Sequence, residues 1–291
     1  MEPEVLMQVF EDSSTSDFIK RTSVYLKKHI SFFGEAPRDV VNHRKKLTFI
    51  HKYIDDVVIS NFQNNQAVIN NQFYNGYFKG LKFGNLINLQ AGIAQKLLGV
   101  YEVELVPELK SLESQKYDWV INIGAAEGLY SLAFAKKWNV PVFSFEQDFS
   151  TRELLRKMVT LNNSPEARPL GEFNENHLKQ LDLGRGLIFC DCEGYETTLF
   201  SEQYAHFVKK HDLVIETHDC FVNQAHEKVK RSLVSSHNLK DIDQVSLEDR
   251  CKLVEDDFFS QLPMTTQVSL LNEDRNPEIR WLIALSKQSR I

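Results

Sequence analysis

The chain has 291 residues, of which 42% are hydrophobic and 25% charged, a composition that excludes disordered, collagen-like and coiled-coil proteins. Its 34 basic and 40 acidic residues give a net charge of −6, which argues against nucleic acid as a partner because binding phosphates requires an excess of Lys and Arg. No apolar run reaches the roughly 20 residues that cross a bilayer, and the amino terminus lacks the order of a secretory signal, so we expect a cytoplasmic protein with no membrane span.

Residues 1–75 have the periodicity of helices. Apolar side chains recur at helical spacing from Phe18 to Ile30 and again from Leu47 to Val58, and Gly34 and Pro37 separate the two stretches. We interpret 1–75 as a helical amino-terminal extension. Such an extension could pair two copies of the chain, so a homo-oligomer through these helices is an expectation of the sequence.

Residues 76–116 form a connecting segment that is rich in glycine and aromatic residues, with one helix predicted over 92–98. Most aromatic residues of the chain recur at the helical or strand spacing that is typical of core residues, but those around this segment could cover an acceptor site. We therefore predict that they form a lid. The rings concerned are Tyr74, Tyr77, Phe78, Phe83 and Tyr101.

From residue 117 to the end, short apolar runs alternate with amphipathic stretches of helical length. The runs are 117–123, 140–146, 186–191 and 211–218, and the helical stretches are 128–138, 151–162, 195–210 and 225–235. Apolar strands that are each followed by a helix indicate a parallel sheet covered on both faces, so we predict a doubly wound α/β domain over 117–291. Residues 280–286 form a last strand, which could pair antiparallel with a strand near Ile242 to Leu247.

A loop suited to a cofactor follows the first of these strands. The strand ends at Asn122, and the loop Gly124–Gly128 has the pattern G-x-x-x-G rather than the G-x-G-x-x-G of dinucleotide sites. Glu127 would repel a phosphate, whereas Glu146, at the end of the next strand, is placed to accept hydrogen bonds from both ribose hydroxyls. A nucleoside without phosphates, S-adenosylmethionine, fits this combination; a glycine turn and an unrelated surface Glu are the alternative.

Four segments in this order resemble the FkbM-type S-adenosylmethionine-dependent methyltransferases: INIGAAEGLYSLAFA, VFSFEQD, FCDCEGYETTLF and DLVIETHD. The third is the most specific, and the resemblance covers about residues 117–220. It departs from the family at Cys192, where Val is common, and at Gln147, where Pro is often found. The resemblance implies a Rossmann-like class I methyltransferase domain with a mostly parallel seven-stranded sheet, and O-methylation of a hydroxyl on a sugar, glycan or other small molecule.

The resemblance also implies roles for individual residues. The methionine tail of the cofactor would lie against Asn122, Gly124, Ala125, Ala126, Glu127 and Gly128. Glu146 would bind the ribose, Gln147 would lie beside the adenine, and Glu172 would meet the adenine amino group. Asp191 would face the cofactor amino group or the reaction centre.

Two adjacent strand ends supply candidates for catalysis. Asp191, Glu193 and Glu196 follow one strand, and Glu216, His218 and Asp219 belong to the end of the other, although Glu193 and Glu196 could instead be helix amino-terminal acids. His218 is the best candidate for a general base because its ordinary pKa is near neutrality, and the neighbouring carboxylates of Asp191, Glu193 and Glu216 could act instead. A buried structural histidine is the alternative. Asp191, Glu193, Glu216 and His218 could together hold Mg²⁺ if a metal is present. Zinc bound by Cys190, Cys192 and Cys220 with His218 is disfavoured because a C-x-C strand has no closing turn.

Two other functions are compatible with the sequence. A nicotinamide-dependent oxidoreductase could use Glu146, although the loop lacks the middle glycine and carries Glu127. A non-catalytic cofactor-binding or assembly module could have the same fold, because a fold does not determine a function.

Overall fold

The computed structural model describes residues 72–83, 92–179, 184–272 and 279–288. The helices predicted for the amino-terminal extension lie outside the described residues, since only 72–75 of the range 1–75 are described. The described residues belong to two compact units, one with 72–76, 92–101 and 246–272, the other with 77–83, 102–179, 184–245 and 279–288. This division differs from the predicted boundaries, because 77–83 and 102–116 belong to the unit that contains the sheet, and 246–272 does not.

The second unit is built on one seven-stranded sheet with the order β3-β2-β1-β4-β5-β7-β6. The strands are β1 Trp119–Ile123, β2 Val142–Phe145, β3 Ala167–Leu170, β4 Gly186–Cys190, β5 Asp212–His218, β6 His237–Ile242 and β7 Ile279–Ser286. Strands β1 to β5 pair in parallel, and β7 lies antiparallel between β5 and β6. The predicted doubly wound, mostly parallel sheet is confirmed.

Helices connect the strands of this unit and complete the first unit. In the sheet unit they are α2 Val106–Glu113, α3 Leu129–Trp138, α4 Phe149–Asn162, α5 Glu175–Leu178, α6 Glu196–Leu199, α7 Ala205–Val208 and α8 Ala225–Leu233, with a 3-10 turn at Val103–Leu105. In the first unit they are α1 Ile93–Leu98, α9 Leu247–Lys252, α10 Asp257–Ser260 and α11 Met264–Leu271. Among the described helices, none is long and apolar enough to cross a membrane.

Two predicted elements differ from those observed. The single helix expected over 195–210 is two short helices, because the chain turns after α6 and the carbonyl of Phe200 accepts a hydrogen bond from the Ser232 hydroxyl. The strand expected near 242–247 lies earlier, at β6. It cannot continue to 247 because the Ser246 hydroxyl accepts from the amide of Asp249 at 3.1 Å and caps α9.

The core explains why the central strands are apolar runs without alternation. Every residue of β1, β4 and β5 is buried, since helices cover both faces of the sheet. Apolar side chains from five neighbouring strands form one cluster; examples are Ile121, Phe145, Ile188, Ile215 and Leu282. This packing fixes the carboxyl ends of β1, β2, β4 and β5 at one edge.

The predicted aromatic lid is largely wrong. Tyr77, Phe78 and Phe83 are buried, and Phe78 packs edge-on against Tyr130 of α3 with ring centroids 5.2 Å apart. These rings are core because the 77–83 segment belongs to the sheet unit. Tyr74 donates a hydrogen bond to Asp256 at 3.2 Å, and Tyr101 is partly exposed.

Candidate active site

The loop after β1 turns sharply because its glycines have backbone conformations that residues with a Cβ rarely adopt. Gly124 has φ 77°, and a Cβ there would lie 1.6 Å from the carbonyl oxygen of Asp191. Gly128, with φ 92°, caps α3, and a Cβ there would lie 2.1 Å from Leu155 of α4. The amides of Gly124 and Ala125 both donate to the Phe145 carbonyl at 2.9 Å, so the loop lies directly across the ends of β1, β2 and β4.

Gly124→Ala is expected to destabilise the protein by at least 2 kcal/mol more than Gly80→Ala. Both glycines have positive φ, but a Cβ at Gly80 meets nothing within 4 Å, so that variant isolates the conformational cost, about 1–2 kcal/mol. Urea unfolding of the two variants measures the difference. Equal destabilisation would show that the loop can move away from Asp191.

Glu146 joins the end of β2 to this loop. Its carboxylate accepts hydrogen bonds from the amide of Ala126 at 3.0 Å and from the amide of Asp148 at 2.8 Å. Ala126 has φ 47°, a left-handed conformation that costs a residue with a Cβ about 1–2 kcal/mol and that the bond to Glu146 holds in place. The structure therefore brings the two predicted cofactor elements together in one network.

The remaining predicted cofactor residues fall into two groups. Asn122 is buried, and its amide nitrogen donates to the Ser131 hydroxyl at 2.9 Å, which ties β1 to α3; its Oδ1 is buried with no hydrogen-bond partner in the described structure. Gln147 and Glu172 are exposed beyond β2 and β3, and their assignment to the adenine stays a prediction, as does that of Glu127.

The predicted catalytic residues do meet, at the ends of β4 and β5. His218 is only 1% exposed, and its Nε2 lies 3.4 Å from Glu216, 3.5 Å from Asp191 and 3.9 Å from Glu193. On the other side of the ring, Nδ1 lies 3.3 Å from the carboxylate of the fully buried Glu196. We call these five residues the acidic cluster.

The charge state of His218 depends on the carboxylates that surround its ring. Burial lowers the pKa of the imidazole, but the hydrogen bond to Glu196 and the charges of Asp191, Glu196 and Glu193 outweigh it and raise the pKa to about 9. A pKa in this range favours the protonated imidazole at neutral pH. An imidazolium cannot accept a proton, so this pKa favours a neighbouring carboxylate over His218 as the general base, and the catalytic roles of both stay predictions.

Glu196 holds the cluster together, a positioning role that the sequence alone did not assign to it. Its carboxylate accepts from the amides of Gly194 and His218, both at 2.8 Å, and interaction with His218 keeps its pKa below the ordinary value although burial opposes this. The sequence offered Glu196 only as one of several acids at these strand ends, and an acid in the first turn of a helix is common for reasons of the dipole alone.

Phe221 is a second residue that the sequence did not single out. Its ring is 61% exposed, and its centroid lies 5.7 Å from that of His218. An exposed aromatic side chain beside buried charges offers a surface on which an acceptor could stack. Nothing in the local sequence separates Phe221 from the many aromatic residues of the core.

Comparison with known proteins is limited to fold. No family model and no curated protein matches the chain. It is similar to a mutant of MtNAS in complex with S-adenosylmethionine (12% identity, 97% of this chain and 88% of that one, TM-score 0.42). It is also similar to precorrin-6y C5,15-methyltransferase from Geobacter metallireducens GS-15 (13% identity, 62% of this chain and 88% of that one, TM-score 0.41). A third similar structure is that of geranyl diphosphate C-methyltransferase from Streptomyces coelicolor A3(2), solved with Mg²⁺, geranyl-S-thiolodiphosphate and S-adenosyl-L-homocysteine (9% identity, 67% of this chain and 80% of that one, TM-score 0.39).

Proposed function

We propose that the chain is an S-adenosylmethionine-dependent methyltransferase that methylates a hydroxyl group of a sugar, glycan or other small molecule. The observation that supports the proposal is the hydrogen bond from the amide of Ala126 to Glu146, because it holds a carboxylate suited to a ribose against a thin loop suited to a methionine tail. The FkbM-type resemblance supports the same cofactor and is the source of the hydroxyl acceptor.

Features of the loop suit this cofactor better than a dinucleotide. The Oδ1 of Asn122 is a buried acceptor with no partner in the described structure, and the ammonium group of a methionine tail is a donor that could satisfy it. Glu127 beside the loop disfavours a pyrophosphate but not a sulfonium. S-adenosylmethionine, when bound, supplies an electrophilic methyl group on a sulfonium.

The acidic cluster lies next to this loop, since Gly124 abuts the backbone of Asp191. In methyl transfer the acceptor oxygen forms a bond to the methyl carbon while the carbon–sulfur bond breaks, and the electron pair stays on sulfur to give S-adenosylhomocysteine. A carboxylate of the cluster, Asp191 or Glu193, takes the hydroxyl proton. When no metal ion is bound, a protonated His218 pairs with these carboxylates and holds them in place.

Calorimetric titration with S-adenosylmethionine, S-adenosylhomocysteine and NAD, each alone, tests the proposal. We expect micromolar binding of the first two and none of NAD. Binding of NAD alone would favour an oxidoreductase and overturn the proposal. If S-adenosylmethionine binds, transfer of its labelled methyl group to a panel of glycosides and sugar nucleotides tests catalysis; binding without transfer to any acceptor would favour a non-catalytic module.

A further inference from the structure

We propose that Asp191, Glu193, Glu216 and His218 form a binding site for one divalent metal ion of the Mn²⁺ type. The proposal concerns the ion alone, and only the role given to the ion below rests on the proposed function. The argument starts from the geometry around a single atom, the Nε2 nitrogen of His218.

Two of the three distances around Nε2, those to Glu216 and Asp191, fit a shared ion better than they fit hydrogen bonds. Carboxylate oxygens of Glu216, Asp191 and Glu193 lie 3.4, 3.5 and 3.9 Å from it, all longer than the 2.7–3.2 Å of a good hydrogen bond. Two ligand atoms that are each 2.0–2.2 Å from a common ion lie about 3.0–3.5 Å apart. The ligand atoms of Asp191, Glu193 and His218 are all within 4.8 Å of one another.

The histidine is oriented from outside this ligand set. Glu196 is not among the proposed ligands, yet its buried carboxylate lies 3.3 Å from Nδ1 and also accepts from the His218 amide. Histidines that bind metals usually donate their other ring nitrogen to a carboxylate in this way, which fixes the tautomer with Nε2 toward the ion. Because His218 is 99% buried, the ring has little freedom to turn away.

The ligand types select the kind of ion. Four carboxylates around one imidazole leave an excess of negative charge that a divalent cation would neutralise, and the ion would take the place of the proton on Nε2. Mg²⁺ prefers oxygen ligands alone, whereas an imidazole together with carboxylates suits a transition metal such as Mn²⁺. Glu193 is exposed, with 70% of its side chain accessible, so it can rotate to complete the site.

At the proposed active site the ion would bind the acceptor hydroxyl, lower its pKa and orient it toward the methyl group. This role predicts that metal is needed for turnover but not for binding of S-adenosylmethionine. Ion binding itself does not depend on the reaction.

Titration of the full chain with Mn²⁺, followed by the electron paramagnetic resonance signal of free Mn²⁺ and without any cofactor, tests the site. We expect one ion per chain, and at least tenfold weaker binding in Glu193→Gln and Asp191→Asn. Glu227→Gln, at an exposed position of α8, is the control and should bind as the unaltered protein does. Because Glu193 is exposed, its variant should fold even where a change at His218 does not.

Two results would overturn the proposal: no Mn²⁺ binding below millimolar concentration, or equal binding by Glu193→Gln and Glu227→Gln. Displacement of Mn²⁺ by equimolar Mg²⁺ would overturn the choice of ion. The titration with S-adenosylmethionine is carried out in EDTA, so failure of the metal site and failure of the proposed function give separate readouts.

Discussion

Glu146→Ala is expected to weaken binding of S-adenosylmethionine at least 100-fold. The carboxylate would accept hydrogen bonds from both ribose hydroxyls, and each bond to a charged acceptor contributes about 1.5–3 kcal/mol. The substitution also removes the acceptor of the Ala126 amide, so the loop loses the contact that holds its left-handed residue. Calorimetric titration measures the loss directly.

The control for this variant is Glu153→Ala on the exposed face of α4, where the carboxylate pairs only with Arg156 of the same helix among the contacts described. Its cofactor affinity should be unchanged. A Glu146→Ala protein that binds S-adenosylmethionine as tightly as the Glu153→Ala protein would show that the ribose lies elsewhere. Unaltered protein that binds no S-adenosylmethionine would instead contradict the proposed function.

The loop and Glu146 could be predicted from the sequence because a parallel sheet places successive strand ends at one edge. Spacing along the chain then translates into proximity, and Glu146 does meet Ala126. The same reasoning predicted that Asp191, Glu193, Glu216 and His218 lie close together, and the structure has them within ion-pair distance of the His218 ring. Backbone topology, which depends on hydrophobic pattern and chirality, carries this information.

Side-chain surroundings could not be predicted in the same way. The sequence places His218 at a strand end, but its protonation depends on how many carboxylates face it and on the burial of Glu196, which only packing decides. The rings of Tyr77, Phe78 and Phe83 were expected at the surface because they lie in a glycine-rich segment. They are buried because that segment packs within the sheet unit, a tertiary effect that local composition does not reveal.

The protein is expected to lose about 3 kcal/mol of stability as pH rises from 6.5 to 9, through His218. The pKa of this imidazole is raised from 6.5 to about 9 in the folded state, so the folded protein binds the proton more tightly than the unfolded chain. The resulting stability is fully present below pH 6.5 and is lost as pH rises through 9. Urea unfolding in EDTA across this range measures the change.

Other groups change stability with pH, so the test is a difference between variants. Burial lowers the pKa of His226 and of His237, and these histidines destabilise the fold only on the acid side of the window. Burial raises the pKa of Cys190 and Cys251, whose effect falls at its alkaline end. Both contributions cancel when the unaltered protein is compared with His218→Gln at each pH.

We expect the His218→Gln protein to lose about 3 kcal/mol less than the unaltered protein between pH 6.5 and 9. Glu196→Gln should flatten the profile in the same direction, because it removes the carboxylate that bonds to Nδ1. His206→Gln, an exposed position on α7, is the control and should follow the unaltered protein. If His218→Gln lost the same stability as the unaltered protein, the imidazole would be neutral at pH 7, and His218 rather than a carboxylate would again be the best candidate for the base.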